Sequence, residues 1–252
     1  MNTTGTILIT GASSGLGEEM ARQFAALGYD LALAARRTER LETLKAEILD
    51  AHPGRRVEVK ALDVNDDSAV FATFKAFAAD FGRLDRVIIN AGLGKGATLG
   101  TGRYEANRQT AMTNFVAALA QTEAAMEIFR AQGSGHLVMI SSMSALRGMR
   151  KTITTYAATK AGVAALAEGL INENVKAKGI DISVIYPGYI RSEMNDKVAQ
   201  KTKFMVDTET GVRAMVAAIE KRKEKAYVPA WPWVPIGFAL KNAPMAVVRK
   251  LS

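Results

Sequence analysis

Short runs of β-branched and aliphatic residues alternate along the chain with longer stretches in which apolar residues recur at helical spacing. The apolar runs predict seven strands: TILIT (6–10), LALAA (31–35), VEVKAL (57–62), VIIN (87–90), HLVMI (136–140), DISVIY (181–186) and AYVP (226–229). The helical pattern covers residues 16–27, 38–49, 68–81, 105–131 and 156–178. This alternation is typical of βαβ units and predicts an α/β fold with a parallel sheet.

Composition limits the kind of protein that this pattern builds. The 252 residues are 48% hydrophobic, which suffices for one substantial core, so we expect residues 1–252 to form a single domain. The chain has no cysteine, which excludes disulfides and thiolate metal sites and suits a reducing compartment. No metal site is predicted. The N-terminal sequence lacks the pattern of a signal peptide, and no apolar stretch has the length of a membrane span, so we expect a soluble, cytoplasmic protein.

Positive charge is concentrated at the C-terminal end. The formal net charge is +8, and residues 221–252 hold seven basic side chains against one acid, Glu224. The chain has no zinc-finger spacing and no RNP-type aromatic motif, so we expect no nucleic-acid partner. Both tryptophans lie in the basic extension 230–252, which begins with the stretch WPWVP at 231–235. Two interpretations of the extension stay open: packing over a pocket or a neighbouring subunit, or a weak peripheral contact with a membrane surface.

A glycine-rich stretch, TGASSGLG at 10–17, directly follows the first predicted strand and opens the first helix. Glycines let a backbone turn sharply and approach a pyrophosphate, whose charge is stabilised by the free N–H groups of a helix N-terminus. The position of the motif after a strand at the start of the chain favours dinucleotide binding over an ordinary turn. The predicted phosphate-binding residues are Gly11, Ser13, Ser14, Gly15, Leu16 and Gly17.

The tip of the second strand indicates which dinucleotide would bind. An acid at this position binds the 2′-hydroxyl of NAD, whereas an arginine accepts the 2′-phosphate of NADP. Here the strand ends in Arg36 and Arg37, so NADP(H) is favoured over NAD(H); the alternative is that both arginines only solvate the start of a helix. Asp63 after the third strand is placed to accept from the adenine amino group or to cap a helix. The backbone of residues 90–92 should pass the adenosine.

Taken together and in this order, these motifs resemble those of the short-chain dehydrogenase/reductase family, in its single-domain branch of about 250 residues. The resemblance covers about residues 5–230. Besides TGASSGLG, it rests on the following residues: Asp63, Val64, Asn90, Ala91, Gly92, Asn114, the serines before Tyr156, the pair Tyr156 and Lys160, and Pro187 with Gly188. The resemblance implies a doubly wound Rossmann-type fold with a seven-stranded parallel sheet. It also implies reversible hydride transfer between a nicotinamide and a carbonyl or alcohol.

Tyr156 and Lys160 lie four residues apart, so on a helix they share one face. A phenol has a pKa of about 10, and a neighbouring ammonium, together with the positive ring of an oxidised nicotinamide, would lower it. Tyr156 would then act as general acid in reduction and as general base in oxidation. The resemblance gives Lys160 a second role, a hydrogen bond to the nicotinamide ribose. It also implies that Asn114 holds a water near this lysine and extends a proton relay.

The catalytic serine is less clearly marked. The family usually places it thirteen residues before the tyrosine, and that count arrives at Met143. The family serine is usually the second of a pair that ends the fifth strand, which favours Ser142 and leaves one extra residue in the following loop. Ser144 and Ser141 remain alternatives. The serine hydroxyl would donate to the substrate oxygen and stabilise the charge that develops there.

The remaining site residues follow the sixth strand. Pro187 and Gly188 match the family's turn, Ile190 would line the nicotinamide region, and Ser192 would hold the carboxamide. Residues 190–206 resemble the family's substrate lid. Small residues in the stretches 105–131 and 156–178 match helices through which family members form a homodimer or homotetramer.

The favoured function is therefore an NADP(H)-dependent oxidoreductase of a small carbonyl or alcohol substrate. Two other classes stay open. One is an NADP-binding regulator without turnover, although such a protein has no need of Tyr156 and Lys160. The other is a lipid-surface or nucleic-acid binding module that uses the basic tail.

Overall fold

Seven parallel strands form a single sheet in the computed structural model, which describes residues 3–94, 96–193 and 204–251. The strands are β1 (Thr6–Thr10), β2 (Asp30–Ala35), β3 (Val57–Ala61), β4 (Arg86–Ile89), β5 (Gly135–Ile140), β6 (Ile180–Pro187) and β7 (Lys225–Val228). Their order is β3-β2-β1-β4-β5-β6-β7. Every residue of β1, β4 and β5 is buried, as expected of parallel strands that are covered on both faces. The predicted seven-stranded parallel sheet is confirmed.

Helices cover both faces of this sheet. They are α1 (Gly15–Ala26), α2 (Thr38–Ala51), α3 (Asp67–Phe81), α4 (Tyr104–Ala111), α5 (Ala117–Gln132), α6 (Thr154–Asn172), α7 (Thr208–Glu220), α8 (Ala230–Asn242) and α9 (Met245–Leu251). One core layer joins the sheet to α3, α5 and α6, and the other joins it to α1, α2 and α7. The fold is therefore doubly wound, and because one sheet and its two layers contain all seven strands, we propose that residues 1–252 form one domain.

Two of the predicted helices differ from the sequence pattern in an informative way. The stretch 105–131 is interrupted by a π-helical turn at Met112–Val116, which separates α4 from α5 and contains Asn114. Such a turn keeps the apolar periodicity, so the pattern alone does not reveal it. The helix predicted for 156–178 ends at Asn172, because Asn174 adopts a left-handed conformation with φ 54° before a short 3₁₀ turn.

A buried polar network lies at the amino edge of the sheet. Arg86 at the start of β4 pairs in register with His136 of β5, and its Nε donates to Nδ1 of His136 at 3.0 Å. The other ring nitrogen of His136 therefore carries the proton and donates to Oγ of Ser183 at 2.8 Å. The Arg86 guanidinium also pairs with Glu220 of α7 at 2.6 Å. Burial, followed by the charge of Arg86, lowers the pKa of His136 to about 2, so its imidazole stays neutral.

Candidate active site

A continuous cleft lies at the carboxyl ends of the strands, between β1 and β4. At this point the strand order reverses: β2 and β3 follow on one side of β1, and β4 to β7 follow on the other. In open α/β sheets such a switch point is the usual place for a ligand. The cleft is lined by every predicted cofactor-binding and catalytic residue except Gly17 and Asn114. The sheet thus brings together residues from position 11 to position 192 of the sequence.

The turn between β1 and α1 forms the floor of the cleft. Gly11 and Gly15 have φ of 66° and 58°, which L side chains rarely adopt. A Cβ at Gly17 would lie 2.5 Å from the carbonyl oxygen of Gly11, so Gly17 allows the turn to pack although it does not line the cleft. The side chain of Asn90 donates to the carbonyl oxygen of Thr10 at 2.9 Å and holds the same turn. Asn90 therefore shapes the floor through its side chain.

Arg37 closes the end of the cleft beside the second strand. Its Nε donates to Ser13 Oγ at 3.3 Å and its Nη2 donates to Ser14 Oγ at 2.6 Å. Ser14 precedes α1 but does not cap it with its side chain. The third partner of Arg37 is the carboxylate of Glu193, which also pairs with Arg40 at 2.5 Å. Two guanidiniums thus converge on one carboxylate, and two serine hydroxyls orient the guanidinium of Arg37.

Arg36 and Asp63 lie on the adjacent wall. Asp63 accepts from the backbone N–H and the side-chain amide of Asn65, at 3.0 and 2.9 Å. The backbone hydrogen bond from Asn65, with a smaller effect of the charge of Arg36, holds the pKa of Asp63 below its usual value. Asp63 therefore stabilises a local turn and lines the cleft at the same time. Thr113 donates to Asn65 at 3.0 Å and ties this wall to the π-helical turn.

Ser142 and Tyr156 both line the cleft on the opposite wall. The Ser142 hydroxyl lies close enough to the Tyr156 phenol to lower its pKa. Oγ of Ser142 also accepts from the backbone N–H of Ser144 at 3.2 Å and from Oγ of Ser144 at 2.9 Å. With the two groups of Ser144 donating to Ser142 Oγ, the single proton of Ser142 is available to another acceptor. Ser144 does not line the cleft.

The electrostatics of Tyr156 differ from the expectation. Burial raises the pKa of Tyr156, and this effect exceeds the lowering by Ser142. The expected lowering by Lys160 is not produced by this arrangement, because the Lys160 ammonium donates to the carbonyl oxygen of Ile140 at 2.8 Å. Lys160 is itself buried, which lowers its pKa to about 8. At neutral pH the site thus contains a protonated phenol and a charged lysine.

The other candidate serine and the counted methionine have structural positions. Ser141 is buried, and its hydroxyl donates to the backbone carbonyl of Lys160 at 2.8 Å, which joins the end of β5 to α6. Met143, thirteen residues before Tyr156, is buried in the core layer that contains α6. Only Ser142 of the three serines both lines the cleft and contacts the tyrosine phenol among the described contacts.

Asn114 lies behind the cleft wall. Its amide nitrogen donates to the Leu93 carbonyl at 2.9 Å and to Thr159 Oγ1 at 3.4 Å, while Oδ1 accepts from the Leu93 N–H at 2.6 Å. A Cβ on Gly92 would lie 3.2 Å from Asn114 Oδ1 and 3.5 Å from Lys160 Nζ, so Asn114 and the lysine ammonium flank the same glycine. The side chain of Asn114 fixes the segment after β4.

The segment after β6 forms the last wall. Pro187, Gly188, Ile190 and Ser192 line the cleft, as predicted. Gly188 contacts the ring of Trp233 so closely that a Cβ has no room there. Trp233 is buried and also stacks edge-on against Tyr189, with ring centroids 5.4 Å apart.

Two backbone hydrogen bonds join the ends of the predicted lid, 190–206. The N–H of Arg191 donates to the carbonyl of Val206 at 2.9 Å, and the N–H of Val206 donates to the carbonyl of Tyr189 at 3.0 Å. Residues 194–203 lie outside the described part of the chain.

The C-terminal extension packs against the segment that follows Ser142. Gly237 of α8 lies against Met143 and Leu146, and Arg147 donates to the carbonyls of Lys241 and Ala243 at 3.3 and 3.1 Å. A guanidinium at these carbonyls stabilises a helix C-terminus. One side of α8 thus packs on the segment after β5, whereas no described residue of 230–252 lines the cleft, and packing of the extension over the pocket stays a prediction.

The cleft fits a nicotinamide dinucleotide. Close backbone packing at Gly11 and Gly17 keeps the turn before α1 narrow, the N-terminus of α1 faces the cleft, and hydroxyl and guanidinium donors stand at its far end. The sequence did not single out some of the lining residues: Ala35, Leu62, Asn65, Leu93, Thr113, Ile140 and Glu193. Each of them directly adjoins a predicted strand end or a predicted site residue.

Comparison with known proteins supports the same assignment. The sequence pattern of the family described as short chain dehydrogenase matches residues 5–203. An uncharacterized oxidoreductase of Mycobacterium tuberculosis is 50% identical over 246 residues, covering 98% of this chain and 96% of that protein. Levodione reductase of Leifsonia aquatica is 32% identical over 223 residues, covering 88% and 81% of the two chains.

Solved structures agree with these relatives. A short-chain dehydrogenase from Sphingobium yanoikuyae in complex with NADPH superposes with a TM-score of 0.82 at 27% identity, covering 97% of this chain and 95% of that one. The chain belongs to the short-chain dehydrogenase family and is an NAD(P)-dependent oxidoreductase that acts on alcohol and carbonyl groups.

Proposed function

We propose that the protein is an NADP(H)-dependent reductase of ketones or aldehydes, with Tyr156 as its general acid/base. The observation that carries this proposal is that Ser142, Tyr156 and Lys160 line one cleft together with the predicted cofactor-binding residues, with the Ser142 hydroxyl close enough to lower the pKa of the Tyr156 phenol. The cofactor supplies the hydride when it is bound. Ser142 donates a hydrogen bond to the substrate oxygen, and Tyr156 delivers a proton to the same oxygen as negative charge develops on it.

The protonation state of Tyr156 suits its proposed role as general acid in reduction. Burial raises the pKa of Tyr156, so its phenol holds the proton that a carbonyl oxygen needs during reduction. Lys160, whose pKa is lowered to about 8, is charged at neutral pH. Its ammonium lies next to Gly92, where it would bind the nicotinamide ribose. Asn114 fixes the segment that contains Gly92 and is proposed as a member of the proton relay.

The preference for NADP(H) rests on the end of the cleft near β2. Arg37 there is oriented by Ser13 and Ser14. Arg40 contacts the carboxylate of Glu193, which also pairs with Arg37. A 2′-phosphate is a stronger bidentate partner for these guanidiniums than the solvent-exposed carboxylate of Glu193. The NADPH complex of the Sphingobium yanoikuyae relative is consistent with this preference. Arg36 and the wall at Asp63 and Val64 would contact the adenosine.

NADPH and NADH oxidation should be measured with a panel of ketones, aldehydes and keto-lipids. We expect turnover with NADPH that falls by orders of magnitude in Tyr156→Phe, whereas Tyr104→Phe, which removes an exposed phenol outside the cleft, keeps wild-type rates. Turnover that survives in Tyr156→Phe would refute the role of this phenol. Binding of NADPH without any turnover across the panel would instead favour a non-catalytic regulator.

We further propose a homodimer or homotetramer that forms through the helices α5 and α6. Val116 and Leu119 are exposed apolar side chains at this surface, and Gly162 of α6 packs closely on Phe115. Light scattering coupled to size exclusion should detect the oligomer, and a monomer would exclude it. The cytoplasm stays the proposed location, because a chain without cysteine suits a reducing compartment.

A further inference from the structure

The outward side of α8 exposes large apolar side chains. Trp231 is 79% exposed, Phe238 is 72% exposed and Val234 is 48% exposed. Val234 and Phe238 are four residues apart and share one side of the helix, and Trp231 lies at its start. We call Trp231, Val234 and Phe238 the α8 face. Scattered single apolar residues on a surface are normal, whereas three large exposed apolar side chains within residues 231–238, two of them aromatic, indicate an interaction surface.

The opposite side of α8 fixes the orientation of this face. Trp233 and Gly237 are buried, the first against Gly188 and the second against Met143 and Leu146. Because these contacts anchor the helix to the protein, the α8 face cannot turn inward without losing them. The exposed side chains are therefore a fixed feature of the folded surface.

The C-terminal extension that contains the α8 face is basic. Residues 230–252 contain no acidic side chain and three basic ones. Lys241 and Arg249 are exposed, and neither forms a salt bridge in the part of the chain that the structure describes. The neighbouring Lys225, which itself pairs with Glu168 at 3.5 Å, holds the pKa of Lys241 below its usual value. This surface attracts anions.

Exposed apolar side chains together with positive charge distinguish between two possible partners of the α8 face. A symmetric contact with a second copy would place each α8 face against its own image and bring the basic side chains of both copies together, with no acid in 230–252 to pair with them. An anionic lipid surface instead supplies an apolar layer for the aromatic rings and negative headgroups for the ammonium and guanidinium groups.

We propose that the α8 face docks the protein onto an anionic lipid surface. The aromatic rings enter the region between headgroups and acyl chains, while Lys241 and Arg249 contact the headgroups. This is a peripheral contact, since none of the described helices is long and apolar enough to cross a bilayer. Binding does not depend on cofactor or turnover, so the proposal stands apart from the proposed catalytic function.

The full-length protein should be sedimented with vesicles of phosphatidylcholine mixed with anionic phosphatidylglycerol, and with vesicles of phosphatidylcholine alone. We expect binding to the anionic vesicles that weakens at high salt. The double variant Trp231→Ser/Phe238→Ser should bind at least about tenfold more weakly, because binding strength scales with the apolar area that enters the interface. The variant Lys241→Glu/Arg249→Glu should also lose binding to anionic vesicles.

A matched control is the double variant Leu99→Ser/Tyr104→Ser, which removes two similarly exposed apolar side chains from another surface. It should bind vesicles like the wild type. Thermal unfolding of each variant checks that the fold is retained, which we expect because the substituted side chains face solvent. Equal vesicle binding by the two double serine variants would overturn the proposal. A second result would also overturn it: the wild type does not bind vesicles, and the α8 double variant forms a smaller oligomer than the wild type. The α8 face would then be a protein interface.

Discussion

Substitution of the three serines after β5 tests the proposed mechanism most directly. Ser142→Ala removes the hydroxyl that would stabilise charge on the substrate oxygen. Loss of one such donor costs about 10² to 10³ in kcat, which corresponds to about 3–4 kcal/mol. Ser144→Ala removes only the hydroxyl that donates to Ser142 Oγ and leaves the backbone N–H in place. One neutral hydrogen bond is worth about 1 kcal/mol, so kcat should fall by about fivefold.

Ser141→Ala should behave differently from both. Its hydroxyl contacts the backbone of Lys160 and no described group of the reaction, so its loss should lower the free energy of unfolding by about 1–2 kcal/mol with little change in kcat. The assay is NADPH consumption at saturating concentrations of the best carbonyl substrate of the panel, with urea unfolding of each variant.

The ranking of the three serines decides the outcome. A kcat for Ser144→Ala as low as that of Ser142→Ala would assign the catalytic hydroxyl to Ser144, and a nearly unchanged kcat in Ser142→Ala would remove serine from the mechanism. Ser144→Thr keeps a hydroxyl and should restore much of the rate if position 144 acts through Ser142.

Other predictions concern the cofactor, the buried histidine and a glycine contact. Arg37→Gln should raise the KM for NADPH by about tenfold or more, because a charged bidentate contact is lost. The KM for NADH should change little. An equal change for both cofactors would contradict the preference for NADP(H). Since the folded state holds the pKa of His136 near 2 against about 6.5 when unfolded, stability should fall by about 1.4 kcal/mol per pH unit as the pH drops below 6.5. In His136→Gln, the free energy of unfolding measured with urea should lose this dependence on pH. A retained dependence would show that another group causes it. Gly188→Ala should destabilise the protein by about 1–3 kcal/mol through its contact with Trp233; Gly148→Ala, where a Cβ meets open space, is the control, and equal melting temperatures would contradict the clash.

The sequence predicts most of the fold because each element has a local signal. Strands that are buried on both faces appear as continuous apolar runs, and their positions match the observed strands within one or two residues. The π-helical turn at Met112–Val116 has no such signal, since one extra residue in a turn hardly changes the apolar pattern. The site residues at strand ends were predictable for the same reason as the strands.

Contacts between distant segments were not predictable from local pattern. Glu193 meets Arg37 and Arg40 only because the segment after β6 returns across the N-terminus of α1. The raised pKa of Tyr156 likewise results from burial by neighbouring elements, whereas the spacing of Tyr156 and Lys160 indicates only that they share a helix face. Both features depend on packing rather than on sequence distance.

The position of Ser142 shows why strand ends are better guides than residue counts. The sheet fixes the end of β5, because the N–H of Ser141 still donates to the Ile185 carbonyl of β6 at 2.8 Å. The packing of α6 fixes Tyr156 independently. The loop between them therefore absorbs any extra residue, and Lys151 there adopts a φ of 57°, a conformation that sheets and helices do not use. A residue added to this loop changes the number of positions between the serine and Tyr156 but leaves the hydroxyl of Ser142 beside the phenol. Counting thirteen residues back from Tyr156 therefore arrives at the buried Met143 instead of at Ser142.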